Sequence, residues 1–222
     1  MMNRPYPRQQ FTGWNIYIAY AALFFLFILY RLFQWPIVGI DTDLWYHLNS
    51  GRYFFENGSI PKDSYFSFIQ PPREWVDYFW FFQVVAYKVY QLSDYYGLIF
   101  LRAIIFSALT FFIFLFFYQG QQKDRLHLFI TITFCLYVLM FIPRYHLVRP
   151  HMFTYLFAAM FLYILEFHRG KGFLLPVIAI FWMNLHGIVY PLMLLMILAY
   201  LIETVYVIKR EKRKIGKGDL YT

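Results

Sequence analysis

Val76-Asp77-Tyr78-Phe79-Trp80-Phe81-Phe82-Gln83-Val84-Val85-Ala86-Tyr87-Lys88-Val89-Tyr90-Gln91-Leu92 is the stretch on which the architecture turns. It is apolar enough to suggest a membrane crossing, yet it carries Asp77, Gln83 and Lys88. Around it lie six stronger apolar runs, at about 15–35, 97–118, 126–142, 152–167, 173–186 and 188–208. Each approaches the roughly 20 residues that a helix needs to cross a bilayer core. If 76–92 also crosses, the chain makes seven passes and its termini lie on opposite sides. If it does not, there are six passes and the termini share a side.

Lys and Arg favour the cytoplasmic side, and that bias decides between the two. With six passes the cytoplasmic cations are Arg4, Arg8, Lys123, Arg125, Arg169 and Lys171, together with six between Lys209 and Lys217, or 12 of the 20 in the chain. With seven passes only Arg4, Arg8, Arg144 and Arg149 stay inside. The expectation is therefore an all-α integral membrane protein of about six transmembrane helices, both termini cytoplasmic, with 76–92 an interfacial helix on the outer face. Residues 1–14 and 209–222 are the cytoplasmic tails, and 36–75 is a large first outer loop. The whole of 1–222 is one transmembrane domain. The Trp80-Phe81-Phe82 cluster must then be buried against other helices or in acyl chains.

Composition agrees. Hydrophobic residues make up 61% of the chain and charged ones 14%, far from the balance of a soluble globular domain. The net charge of +8 does not imply nucleic acid, because the densest basic block directly follows an apolar run, as a juxtamembrane lipid anchor does. Membrane lipids are thus the expected surroundings. The apolar run at 15–35 ends in Phe33-Gln34-Trp35-Pro36 rather than small residues, so it reads as an uncleaved anchor rather than a signal peptide. The lone Cys135 excludes a disulfide framework and a cysteine metal site.

Three polar motifs fall on the outer face of this arrangement. In Asp41-Thr42-Asp43-Leu44-Trp45-Tyr46-His47-Leu48, Asp41 or Thr42 suits an N-cap and Gly58 a C-terminal stop, so an amphipathic surface helix is expected between them. Leu44, Trp45, Leu48 and Phe55 are expected on one side of it, with Asp43 and His47 on another. Asp41 either caps that helix or joins Asp43 as a general base or a ligand for a divalent cation. Pro143-Arg144-Tyr145-His146-Leu147-Val148-Arg149-Pro150-His151 gathers two arginines and two histidines in nine residues, a donor set suited to phosphate. Its bland alternative is a turn whose arginines snorkel to headgroups. Trp182-Met183-Asn184-Leu185-His186-Gly187 interrupts an apolar run, so Asn184 and His186 either line a cavity or bond a neighbouring helix. The set Arg73 to Asp77 is read as positioning the interfacial helix, with no chemistry of its own.

Taken together these features resemble the GT-C family of membrane glycosyltransferases, which use polyprenyl-phosphate-linked sugars. The resemblance rests on an anchor helix followed by an outer loop opening with Asp41 and Asp43. Trp45-Tyr46-His47, Gly51 and Trp75 follow, and then Arg149-Pro150-His151 and Trp182 to Gly187. It implies a multi-pass protein of a bacterial inner membrane that transfers a sugar from a polyprenyl-phosphate donor at the outer face. Asp41 and Asp43 would be catalytic. His47, Arg144, His146, Arg149, His151, Asn184 and His186 would bind substrate, with Arg149 and His151 on the phosphate. No cofactor is expected; a divalent cation is possible, but the second outer turn has no acidic pair to complete a metal site. Family members run well beyond this length. The chain is therefore expected to be an N-terminal portion, half of a split enzyme, or a non-catalytic scaffold or accessory subunit for partner membrane subunits.

Overall fold

The computed structural model describes residues 41–68, 71–119 and 147–211, with isolated helical positions between 22 and 34. The expected crossing at 126–142, most of that at 15–35, both tails, and Arg144 and His146 lie outside the described residues. Five helices follow in order: α1 (Thr42–Asn57), α2 (Trp80–Gln119), α3 (His151–Phe167), α4 (Leu174–Leu185) and α5 (Tyr190–Glu211). Single 3₁₀ turns, Arg169–Lys171 and Gly187–Val189, join α3 to α4 and α4 to α5. There is no strand among the described residues. An isolated antiparallel bridge pairs Asp63 with Glu74 and folds the outer loop back on itself.

α1 begins after Asp41 and ends at its glycine stop. Asp41 stands at the N-cap, and Gly58 ends the helix at φ 65°, a conformation that costs glycine nothing, with its N–H donating to the Phe54 carbonyl at 2.8 Å. Its inner face is Leu44, His47, Leu48 and Gly51, spaced three, four and seven residues apart. That corrects the expected division of faces: His47 is buried with the leucines, whereas Trp45 and Phe55 are about half exposed. Gly51 permits the close crossing with α2, because a Cβ there would lie 2.3 Å from the Gln83 carbonyl oxygen and 2.5 Å from the Tyr87 Cβ.

α2 is two arms joined by an elbow. Ser93 (φ −149°, ψ 18°) and Asp94 (φ 52°, ψ −146°) leave helical geometry, so 80–92 and 95–119 are separate rods. The first arm is roughly 20 Å long, short of a ~30 Å hydrocarbon core. The Trp80-Phe81-Phe82 cluster packs against protein: Phe82 is fully buried, with its ring 6.2 Å from Phe153 of α3, and Phe81 lies 6.4 Å from Phe181 of α4.

Two buried clusters hold the bundle. One joins α1, α2 and α3 through Leu44, Leu48, Phe82, Leu98 and Met152; the other joins α3 to α4 through Phe161, Leu165 and Trp182. Against lipid tails as apolar as these side chains, such clusters hold by close van der Waals packing rather than by transfer from water. At the far end of the bundle Arg169 pairs with Glu203 at 3.2 Å, while Glu166 accepts from Tyr200 at 2.9 Å.

Two stretches, Trp80–Ile113 and Gly187–Arg210, are long and apolar enough to cross a membrane. α5 turns most of its apolar side chains outward, with Leu195, Ile202 and Tyr206 each about 60% exposed. An apolar surface so continuous is stable only against lipid or other protein.

Candidate functional site

The two expected acids and the expected phosphate cation converge on one point. Arg149 reaches from the turn before α3 and spreads its guanidinium across the start of α1. Its Nε donates to Asp41 Oδ1 at 2.8 Å, and its Nη1 lies 2.7 Å from Asp43 Oδ2. The partners are 108 residues apart in sequence for the first contact. Both contacts are charge-assisted and short, and their planar fork is a geometry that arginine supplies and lysine does not.

Asp41 sits where a capping residue would, but its side chain makes no cap bond. Its carboxylate is committed to the guanidinium instead, so capping does not explain the residue. The side chains differ sharply in exposure: Asp41 1%, Arg149 28% and Asp43 54%. Asp41 Oδ2 is buried and accepts no hydrogen bond. One oxygen of a buried carboxylate is thus left without a donor, a state that costs free energy unless something else uses it.

Behind this triad lies His47. Phe82 and Phe79 meet its ring edge-on, at 5.0 and 5.7 Å, and its Nδ1 is buried without a partner. Burial, reinforced by the positive charge of Arg149 and by His186 and His151, drives its pKa down to about 3, so the imidazole is neutral at physiological pH. His151 opens α3 and sets its ring edge-on to Tyr155 at 5.5 Å.

The 182–187 turn is pinned from three sides. Trp182 Nε1 donates to Thr154 Oγ1 at 3.1 Å, Trp80 Nε1 donates to Asn184 Oδ1 at 3.1 Å, and the Gly187 N–H donates to the Tyr78 carbonyl at 2.9 Å. Asn184 thus braces α2 against α4. His186 Nδ1 lies 2.6 Å from Thr154 Oγ1, with Phe79 packed on its ring at 5.5 Å.

The residue given no chemistry in the sequence, Asp77, organises the first arm of α2. Its Oδ1 accepts from the Phe79 N–H at 2.9 Å and from Gln83 Nε2 at 3.1 Å, while the Tyr46 hydroxyl donates to Oδ2 at 3.4 Å. Burial raises the pKa of Asp77, and burial together with that carboxylate pushes Tyr46 up to about 12. A groove of about 400 Å³ opens beside it, lined by Asp77, Tyr78, Trp80, Met183 and Tyr190. Thr154 also went unmarked in the sequence, and Trp80 and Trp182 were marked without their bonds to Asn184 and Thr154. The one available signal was the i, i+4 spacing of Trp182 and His186.

Among the described residues no three His, Cys, Asp or Glu side chains gather as a metal-ligand set. Arg149 already fills the space between Asp41 and Asp43, so a divalent cation bound by both would have to take the guanidinium's place. The arrangement offers one forked cation, two carboxylates of unequal exposure and a neutral histidine, all at one end of the helices. No family model, curated protein or solved structure matches the chain.

Proposed function

We propose that the chain is a multi-pass membrane protein of the GT-C type that transfers a sugar from a polyprenyl-phosphate donor. The supporting observation is the Asp41–Arg149–Asp43 triad, in which a forked cation and two carboxylates meet at the start of a half-buried surface helix. A donor phosphate competes first for the half of the guanidinium that faces solvent, the half held by exposed Asp43. Buried Asp41 keeps the other half and aims it. Asp43, once released, accepts the proton of the acceptor group as that group bonds to the anomeric carbon. The bond from anomeric carbon to phosphate oxygen breaks, and Arg149 neutralises the charge gathering on the departing polyprenyl phosphate. Neutral His47, with His151 and His186, supplies further donors.

The six-crossing arrangement with both termini cytoplasmic belongs to the same proposal. It is supported by the Lys and Arg bias, by the outward apolar face of α5 and by the short first arm of α2. Single cysteines at Gln121 and Gly216, in a Cys135→Ser background, should resist an impermeant thiol reagent in intact cells; labelling of either overturns it.

One observation favours a second reading, a non-catalytic accessory subunit. The triad pairs its own charges and ties the start of α1 to the turn before α3. Asp43→Asn discriminates between the two. In a transferase it abolishes turnover while the protein stays folded; in a scaffold it leaves assembly with partner subunits weakened or unchanged.

A further inference from the structure

The hydrogen-bond chain from Trp182 through Thr154 to His186 has a direction. Trp182 Nε1 can only donate, so Thr154 Oγ1 accepts from it at 3.1 Å. The remaining partner of Thr154 is His186 Nδ1, at 2.6 Å. The hydroxyl hydrogen meets an acceptor only where that nitrogen carries none, so the tautomer with hydrogen on Nε2 is the one that satisfies every group in the chain of bonds. The ring is also held in place by Phe79 on its face and by the bonds that pin the Asn184–Gly187 turn. His186 itself is only partly buried, and its Nε2 is not among the enclosed polar atoms that lack a partner.

Thr154 lies four residues after Pro150, the N-cap of α3, about 6 Å along the axis, and Arg149 directly precedes that cap. His186 shares Phe79 with His47, the ring lying 5.5 Å from the first and 5.7 Å from the second, so it stands next to the histidine behind the triad although it is carried by a different element. We infer that Thr154 is a positioning residue that locks His186 as an Nε2–H donor toward the phosphate of the lipid-linked ligand bound at Arg149. The inference rests on the transferase reading for its ligand, but not for the tautomer.

Two arms keep those apart. In the full chain labelled with ¹⁵N-histidine, the ring nitrogens of His186, assigned by loss of its signals in His186→Gln, report the tautomer directly. The expected result is a single Nε2–H species in wild type and a mixture in Thr154→Val, with Thr154→Ser restoring the wild-type pattern. A wild-type ring carrying its hydrogen on Nδ1 overturns the inference without any variant having to fold. In the second arm, binding of farnesyl phosphate is followed by tryptophan fluorescence in detergent, with inorganic phosphate as the control. Thr154→Val should weaken farnesyl phosphate about tenfold, the loss of one hydrogen bond to a charged group, and Thr154→Ser should restore it. Equal affinity in wild type and Thr154→Val overturns the donor role. Inorganic phosphate binding as tightly as farnesyl phosphate, with the same Thr154 dependence, upholds the donor and overturns the lipid-linked reading.

Discussion

Replacing Asp41 by Asn, and separately Asp43 by Asn, divides a buried contact from an exposed one within the same ion triad. Both substitutions keep the side-chain shape and remove one negative charge. At Asp41, whose side chain is 1% exposed, the loss leaves Arg149 facing a buried neutral amide in place of the carboxylate that accepts from its Nε at 2.8 Å. Removing one member of a fully buried pair costs about 3–5 kcal/mol. Arg149 is 28% exposed and retains Asp43, so roughly half of that applies, about 2 kcal/mol. At Asp43, 54% exposed, the value falls to that of a surface pair, about 0.2–1 kcal/mol. For a chain of this size 1 kcal/mol moves a melting midpoint by roughly 2–4 °C. Thermal unfolding in one detergent should thus fall by about 6 °C for Asp41→Asn and by no more than about 3 °C for Asp43→Asn. The order of activity is the reverse: Asp43→Asn removes the base and should abolish turnover. Equal thermal losses, or a larger loss at Asp43, would refute the burial argument.

Other substitutions probe the frame. Gly51→Ala puts a Cβ against the Gln83 backbone and should destabilise by about 1–3 kcal/mol or more; an unchanged midpoint would mean that α1 and α2 do not cross so closely. Asp94→Gly relieves a residue held at φ 52° and ψ −146°, worth about 1–3 kcal/mol. After glycine's entropy cost the variant should be more stable by about 1 kcal/mol, and a lower midpoint contradicts the elbow. His47 has its folded pKa lowered to about 3 from an ordinary value of 6.5, so the unfolded chain takes up its proton first as pH falls. Its contribution to stability is intact above pH 6.5 and is lost below it, by roughly 1 kcal/mol between pH 6.5 and 5.5. His47→Leu should flatten that part of the pH profile, and an unaltered slope assigns it to other groups.

What could be read ahead of the structure followed the range of each interaction. The end of α1 rests on local chemistry, a glycine at 58, and was legible; its start fell at Asp41 as expected, although that side chain makes no cap bond. The polar residues Asp77, Gln83 and Lys88 set 76–92 apart in the sequence, but the elbow at Ser93 and Asp94 that ends its helix was not legible. The inner face of α1 was misread because hydrophobicity does not distinguish a core from a lipid-facing surface: Trp45 turns outward while His47 is buried. The fate of the Asp41 carboxylate depended on Arg149, which no local pattern ties to it. Thr154 and Trp182 look ordinary in apolar helices, and only their meeting with His186 gives them a role.

The central claim is that Arg149 holds a lipid-linked phosphate, and the most direct measurement is of the lipids that travel with the protein. Wild type and Arg149→Ala, purified in the same mild detergent, are extracted and compared by mass spectrometry. Polyprenyl phosphate or its sugar conjugate, enriched with wild type and absent from Arg149→Ala, is the predicted result. Only bulk phospholipids in both samples would contradict it and leave the triad as a staple between α1 and α3.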